Sequence, residues 1–232
     1  MASHETEKRS VRSRILHAAA SLFLTHGYQS SSLKMIAQAA NTNTGSLNWE
    51  FKAKEDILCE LVSYVFDKQF STSAEHLSGV TDDKILFFAF KAALQLHMAE
   101  ANENIREMYN VSYSLPSSAR VIYHKMTGEL EKIFKENLPG LKTKDFYERE
   151  IASAGIMRNL ITVPCDMYFE MDRKIKIFLE ATLLIYKVPQ QEIDEAIRFV
   201  EGFDMKMIAK ETLASLKDYF DTRIDEDDAT DR

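Results

Sequence analysis

Apolar residues recur every three to four positions through most of this chain, the period of an α-helix rather than of a strand. The first stripe is Ile15, Leu16, Ala18, Ala19, Leu22 and Phe23. Gly27 closes that helix as a C′ residue, and Tyr28 follows as a packing anchor. Met35, Ile36, Ala39 and Ala40 form a second, shorter stripe, with Ser31 and Ser32 as N-cap residues. Asn41-Thr42-Asn43-Thr44 interrupts it with turn-favouring residues, and Asn41 tolerates a left-handed backbone. Leu47 and Phe51 then face inward from a third short segment. From about residue 53 to 76 the stripe is Ile57, Leu58, Leu61, Val62, Val65, Phe66 and Phe70, which predicts one long helix.

The remainder repeats the pattern with clear breaks. Ser78 to Asp82 is a break, with Thr81 or Asp82 capping a helix over about 83–101 that is apolar nearly all round. Such a helix lies inside a bundle or lines a cavity. Further helices are expected over about 103–113, 118–137, 143–170, 172–186 and 190–220. Pro164 should kink the helix over 143–170 near Leu160 and Ile161, Gly155 leaves room there for a close neighbour, and the last should bend at Gly202. Residues 221–232 carry six acids and two bases and read as a solvated tail.

Composition agrees with an all-α chain, since 232 residues contain only seven Gly and four Pro. The net charge of −7 argues against a polyanion as partner until its distribution is considered. Residues 1–56 hold seven Lys/Arg against five acids, so the remainder holds 22 bases and 31 acids. Screening confines attraction to about 8 Å at physiological salt, so a locally basic end can bind nucleic acid on an acidic body. Residues 1–8 read as disordered, and the Lys8, Arg9, Arg12, Arg14 cluster is either a solvated helix start or an arm reaching phosphate or the minor groove. The two cysteines, Cys59 and Cys165, form no disulfide framework and sit at no metal-ligand spacing. No signal peptide or span-length apolar run is present, which points to the cytoplasm.

A small Ala37, a turn four residues on and an inward Leu47 have the spacing of a helix-turn-helix, whose second helix enters the DNA major groove. The match extends over residues 11–62, through RSRILHAAASLFLTHGYQSSSLKMIAQAA, the Gly45-Ser46-Leu47 triplet, Phe51 and Lys54 followed by Glu-Asp-Ile-Leu. In these features the chain resembles the TetR family of transcriptional regulators. The resemblance implies an N-terminal three-helix DNA-binding unit over 1–56. It also implies a larger C-terminal helical domain for ligand binding and dimerisation over 57–220. It implies as partners double-stranded operator DNA, a small-molecule effector and a second copy of the chain, with no membrane and no cofactor.

Thr44, Ser46, Asn48 and Trp49 occupy the outward face of the second short helix, with Asn43 as its N-cap. Gly45 lets the backbone approach DNA, while Ser31, Ser32 and Lys34 lie where the family's preceding helix meets the sugar-phosphate backbone. Lys54 matches the family's phosphate-holding lysine, and Lys52 adds charge beside it. Asn41 replaces the family's turn Gly, Glu50 an aromatic or His, and Asn48 a Tyr whose hydroxyl meets phosphate. An Asn can pair with adenine N6 and N7, so position 48 becomes a candidate base reader.

Neither a phosphate loop, a nucleophile elbow, an HExxH pair nor paired cysteines is present, and the six histidines scatter, so no enzyme is expected. For the effector, the resemblance turns the aromatic and Met stripes of the C-terminal helices into a candidate cavity wall. Its residues are Phe66, Phe87, Phe90, Leu94, His97, Tyr109, Tyr113, Tyr123, Met126 and Met157, implying a largely apolar ligand. The functional expectation is a repressor released from its operator by that ligand. A helical carrier of a hydrophobic ligand and a small helical enzyme remain as alternatives.

Overall fold

The computed structural model describes residues 10–230, and the expected arm residues Lys8 and Arg9 lie outside them. Among the described residues there are eleven helices. They are α1 (Val11–His26), α2 (Leu33–Ala39), α3 (Thr44–Glu50), α4 (Lys54–Leu77), α5 (Lys84–Ala101) and α6 (Glu103–Ser114). There follow α7 (Pro116–Phe134), α8 (Thr143–Thr162), α9 (Met171–Ile185), α10 (Gln190–Glu201) and α11 (Met205–Thr230). The architecture is all-α, a three-helix N-terminal unit on a larger helical body.

Local chemistry sets the element ends. Ser10, Ser32 and Asn43 cap α1, α2 and α3 by accepting from the backbone N–H three residues on. Gly27 ends α1 at φ 82, and Asn41 takes φ 49, the left-handed turn that its short amide tolerates. Asp83, rather than Thr81 or Asp82, caps α5, accepting from Ile85 and Leu86 N–H; Thr81 instead accepts from Asp83 N–H. Pro164 does not kink a helix but follows its end, because α8 stops at Thr162. Gly202 likewise separates two helices, α10 and α11. Gly155 has open space beside it, so no neighbour within the chain uses the room.

The N-terminal unit closes over Ile15, Ala19, Phe23, Ile36, Leu47 and Phe51, all nearly inaccessible. Ala37 is buried there while Ala39 is exposed, so the α2 stripe is rotated from its expected phase. The body packs around α5, whose residues 88–96 are all buried and which contacts α4, α10 and α11. Two hydrogen bonds join α6 to the unit. Asn104 Nδ2 on α6 donates to Leu24 O at 2.9 Å, and Gln29 N–H donates to Glu107 Oε1 at 2.9 Å.

The expected solvated tail is instead the end of α11, which continues to Thr230 and packs on α1. Leu216, Phe220 and Ile224, spaced i, i+4, i+8, bury one face of it. Its acids meet partners rather than water alone. His17 Nδ1 lies 2.5 Å from Asp221 Oδ1 and its Nε2 lies 2.9 Å from Asp225 Oδ1, while Tyr64 OH donates to Asp227 at 2.6 Å.

Candidate nucleic-acid interface and effector cavity

The helix-turn-helix stands on buried anchors. Leu47 is fully buried under α3, and Asn43 Oδ1 accepts from Ser46 N–H at 2.8 Å, fixing the start of that helix. A Cβ at Gly45 would come 3.1 Å from the same Oδ1, so the missing side chain also makes room for the cap. The outward face then presents Thr44, Gly45, Asn48 and Trp49, with Ser46 half-buried. Trp49 is 80% exposed, an unusual placement for indole in a chain that buries most of its aromatics. Lys52 follows, its ammonium 5.6 Å from the Trp49 ring centre. Lys34 and Ser32 are exposed on α2.

Ser31 does not join this surface. It is fully buried, and its hydroxyl donates to Gly27 O at 2.7 Å, which holds the α1–α2 loop. Lys54 is turned to the same loop. Its Nζ donates to Tyr28 O at 2.7 Å and Ser31 O at 3.0 Å, 4.0 Å from the Tyr28 ring centre, and burial lowers its pKa. The arginines at the start of α1 are also internal clamps. Arg14 donates to Ala40 O at 2.8 Å and Asn41 O at 2.9 Å, closing the helix-turn-helix turn. Arg12 pairs with Glu60 and covers the Phe51 ring. Sequence reasoning could not assign them so, because the carbonyls they satisfy lie 26 or more positions away.

In the body, only some of the expected wall residues converge. Phe66, Tyr113, Met126 and Met157 line one cavity of about 30 Å³ among α4, α5, α6, α7, α8 and α9, room for one or two waters. Phe87 stacks on Phe70, and Phe90 packs against His76 and Phe203. Leu94 is plain core, Tyr109 is tied to Gln69, and Tyr123 faces Tyr147. His97 opens on a different cavity of about 220 Å³ with Asp172, Phe203 and Lys206, and burial holds its pKa down.

The smaller cavity is not the apolar chamber that the wall residues imply. Lys91, Gln95, Glu150 and Ser153 also line it, beside Phe88, Ala92, Ala154 and Phe178. Gln95 Nε2 donates to Tyr113 OH at 2.8 Å, and Ser153 Oγ donates to Glu150 Oε2 at 2.8 Å. One signal for this was available. Lys91 is the sole charged residue in the apolar run 85–99, and Gln95 follows it one helical turn later. Glu150, within an ordinary polar stretch of α8, carried none.

The profile of the bacterial regulatory proteins, tetR family, matches residues 15–61, the helix-turn-helix and its flanking helices. Over these residues the chain is similar to the tetR family. Its fold is similar to that of RolR in complex with resorcinol, at 17% identity and TM-score 0.60, covering 85% of this chain and 95% of that one. A tetR-family regulator from Shewanella sp. PV-4 is similar over 77% of this chain and 96% of its own, at 22% identity and TM-score 0.47. No curated protein matches the sequence. No helix among the described residues is long and apolar enough to cross a membrane.

Proposed function

We propose that this protein is a cytoplasmic homodimeric repressor of the tetR kind, released from operator DNA when a small molecule with a largely apolar body enters the cavity beside Phe66. One observation carries this reading: α4 belongs to both sites. Its first residue, Lys54, fastens the helix-turn-helix loop, and Phe66 on the same helix lines the cavity. Twelve residues of helix put about 18 Å between them. A displacement at Phe66 therefore moves the DNA-reading unit as a rigid lever.

The DNA-binding unit spans 1–56 and the effector and dimerisation domain 57–220, to which the end of α11 adds a tie. Thr44, Asn48, Trp49, Lys52, Lys34 and Ser32 face the DNA, with Asn48 reading a base. Two units must meet successive major grooves about 34–36 Å apart. The second copy would dock on α8 and α9, where Ile151, Ile177 and Leu184 are exposed apolar side chains. The effector must prefer the released state, since equal affinity for both shifts nothing. The RolR complex, with a one-ring aromatic ligand, supports a small effector in this fold.

The test is a mobility shift with the DNA flanking its own gene, across salt concentrations. Binding that weakens with salt and moves to other sequences on Asn48→Ala is the expected result. Absence of any shift at low salt refutes the reading.

A further inference from the structure

The inference rests on the effector cavity proposed above and concerns the chemistry of its occupant. Lys91 and Glu150 are both buried, and among the described residues they form no direct ion pair with each other. Lys91 Nζ donates to Met126 Sδ at 3.6 Å and sits 4.8 Å and 4.9 Å from the ring centres of Phe66 and Phe70. A thioether and two rings are weak company for an ammonium withdrawn from water. Glu150 has one hydroxyl partner, Ser153, and lines the cavity it shares with Lys91. A buried basic group and a buried acidic group lining one cavity, held apart, offer a bridging ligand a partner at each end.

Three kinds of occupant can be compared. A hydrocarbon fills space and leaves both polar groups as they are. A carboxylate pairs with Lys91 but sets a second anion against Glu150. An aromatic hydroxyl does both jobs at once, its oxygen accepting from the ammonium and its proton donated to the carboxylate, with no added charge. The rest of the wall suits the ring, being aromatic and thioether side chains from Phe66, Phe88, Phe178 and Met157.

We propose that this cavity recognises a single-ring phenol, with its hydroxyl seated between Lys91 Nζ and the Glu150 carboxylate. Burial also draws both groups toward neutrality, Lys91 down to about 8 and Glu150 up to about 7, which favours a partner able to donate and accept. A ring is larger than the cavity of about 30 Å³, so its entry must push the wall outward, Phe66 included. Recognition of the hydroxyl and displacement of α4 are then one event.

The experiment titrates the full chain calorimetrically with phenol, anisole, toluene and benzoate, in parallel with operator release. Phenol should bind at least ~10-fold tighter than the other three, the usual worth of charge-assisted hydrogen bonds. Lys91→Met and Glu150→Gln should each erase the preference for phenol over toluene. The double variant Lys91→Met/Glu150→Gln, which leaves no lone buried charge, repeats the measurement if a single variant fails to fold. Equal binding of phenol and toluene, tighter binding of benzoate, no binding of any, or an unaltered preference in the variants overturns the proposal. Phenol binding without release of DNA would leave this chemistry standing and refute the repressor mechanism. Release by toluene alone would do the reverse.

Discussion

The Lys91 ammonium lies 4.8 Å from the centre of the Phe66 ring. That contact joins the one charged position of an otherwise apolar α5 segment to the helix that reaches the DNA-binding unit. Whatever draws Lys91 toward a ligand also changes what Phe66 packs against. In this fold a change in hydrogen bonding can thus become a change in helix position, through a side chain packed too tightly to yield by itself.

Phe66→Leu tests that coupling. It keeps an apolar side chain of similar size and costs about 1 kcal/mol, a fall of about 2–4 °C in melting temperature. DNA binding without ligand should persist, because Lys54 and the clamps of the helix-turn-helix are untouched. The phenol concentration needed to release DNA should rise several-fold in a mobility-shift titration. An unchanged release curve would remove Phe66 from the pathway.

The same cavity predicts an unusual dependence of stability on pH. Burial raises Glu150 from 4.5 to about 7, so between these values the folded chain holds more protons and stability falls as pH rises. Burial lowers Lys91 from 10.5 to about 8, so between 8 and 10.5 the unfolded chain holds more protons and stability rises with pH. Together they place a minimum near pH 7–8, with each limb on the order of 1–3 kcal/mol. Melting curves from pH 5 to 10 should show the dip in the wild type and its loss in Lys91→Met/Glu150→Gln. A dip that persists in the double variant must come from other groups.

The helix-turn-helix was legible because it is local, with stripe, cap, turn and anchor within about thirty residues, each with its own chemical signature. The cavity was only half legible. Periodicity marks Phe66, Tyr113, Met126 and Met157 as inward, but does not say which inward residues meet. Phe90, Leu94 and Tyr109 have the same pattern and pack elsewhere. Glu150 was invisible for the opposite reason, since a carboxylate reads as a solvated face until α5 is laid beside it. The acids of α11 misled in the same way. Their helix was announced by Leu216, Phe220 and Ile224, but the run of charge hid that stripe.

Two lysines of the DNA-facing region should separate folding from binding. Lys54→Ala removes the donor to Tyr28 O and Ser31 O; Tyr28 O keeps the Ser31 N–H, and Ser31 O loses the lysine, a loss of about 1–3 kcal/mol. Its melting temperature should fall, and operator affinity should fall for every sequence alike. Lys52→Ala removes an exposed charge and should weaken DNA binding and its salt dependence with the melting temperature unchanged. Calorimetric melting beside binding isotherms decides the matter. A Lys54→Ala protein as stable as the wild type would make that lysine a phosphate ligand first and a clamp second.

His17 ties the end of α11 to α1, the first helix of the N-terminal unit, through Asp221 on one ring nitrogen and Asp225 on the other. Both carboxylates are two-fifths exposed, so the two contacts together contribute no more than about 1 kcal/mol. The effect of His17→Ala should therefore be local. Residues 205–216 remain packed through Ile208, Ala209 and Leu216, and their amides should exchange with solvent at the wild-type rate. Residues 221–230 keep Ile224 and the Tyr64–Asp227 bond but lose the tie, so their amides should exchange faster. If hydrogen exchange over 221–230 is unaltered, the burial of Ile224 holds the helix end and His17 merely accompanies it.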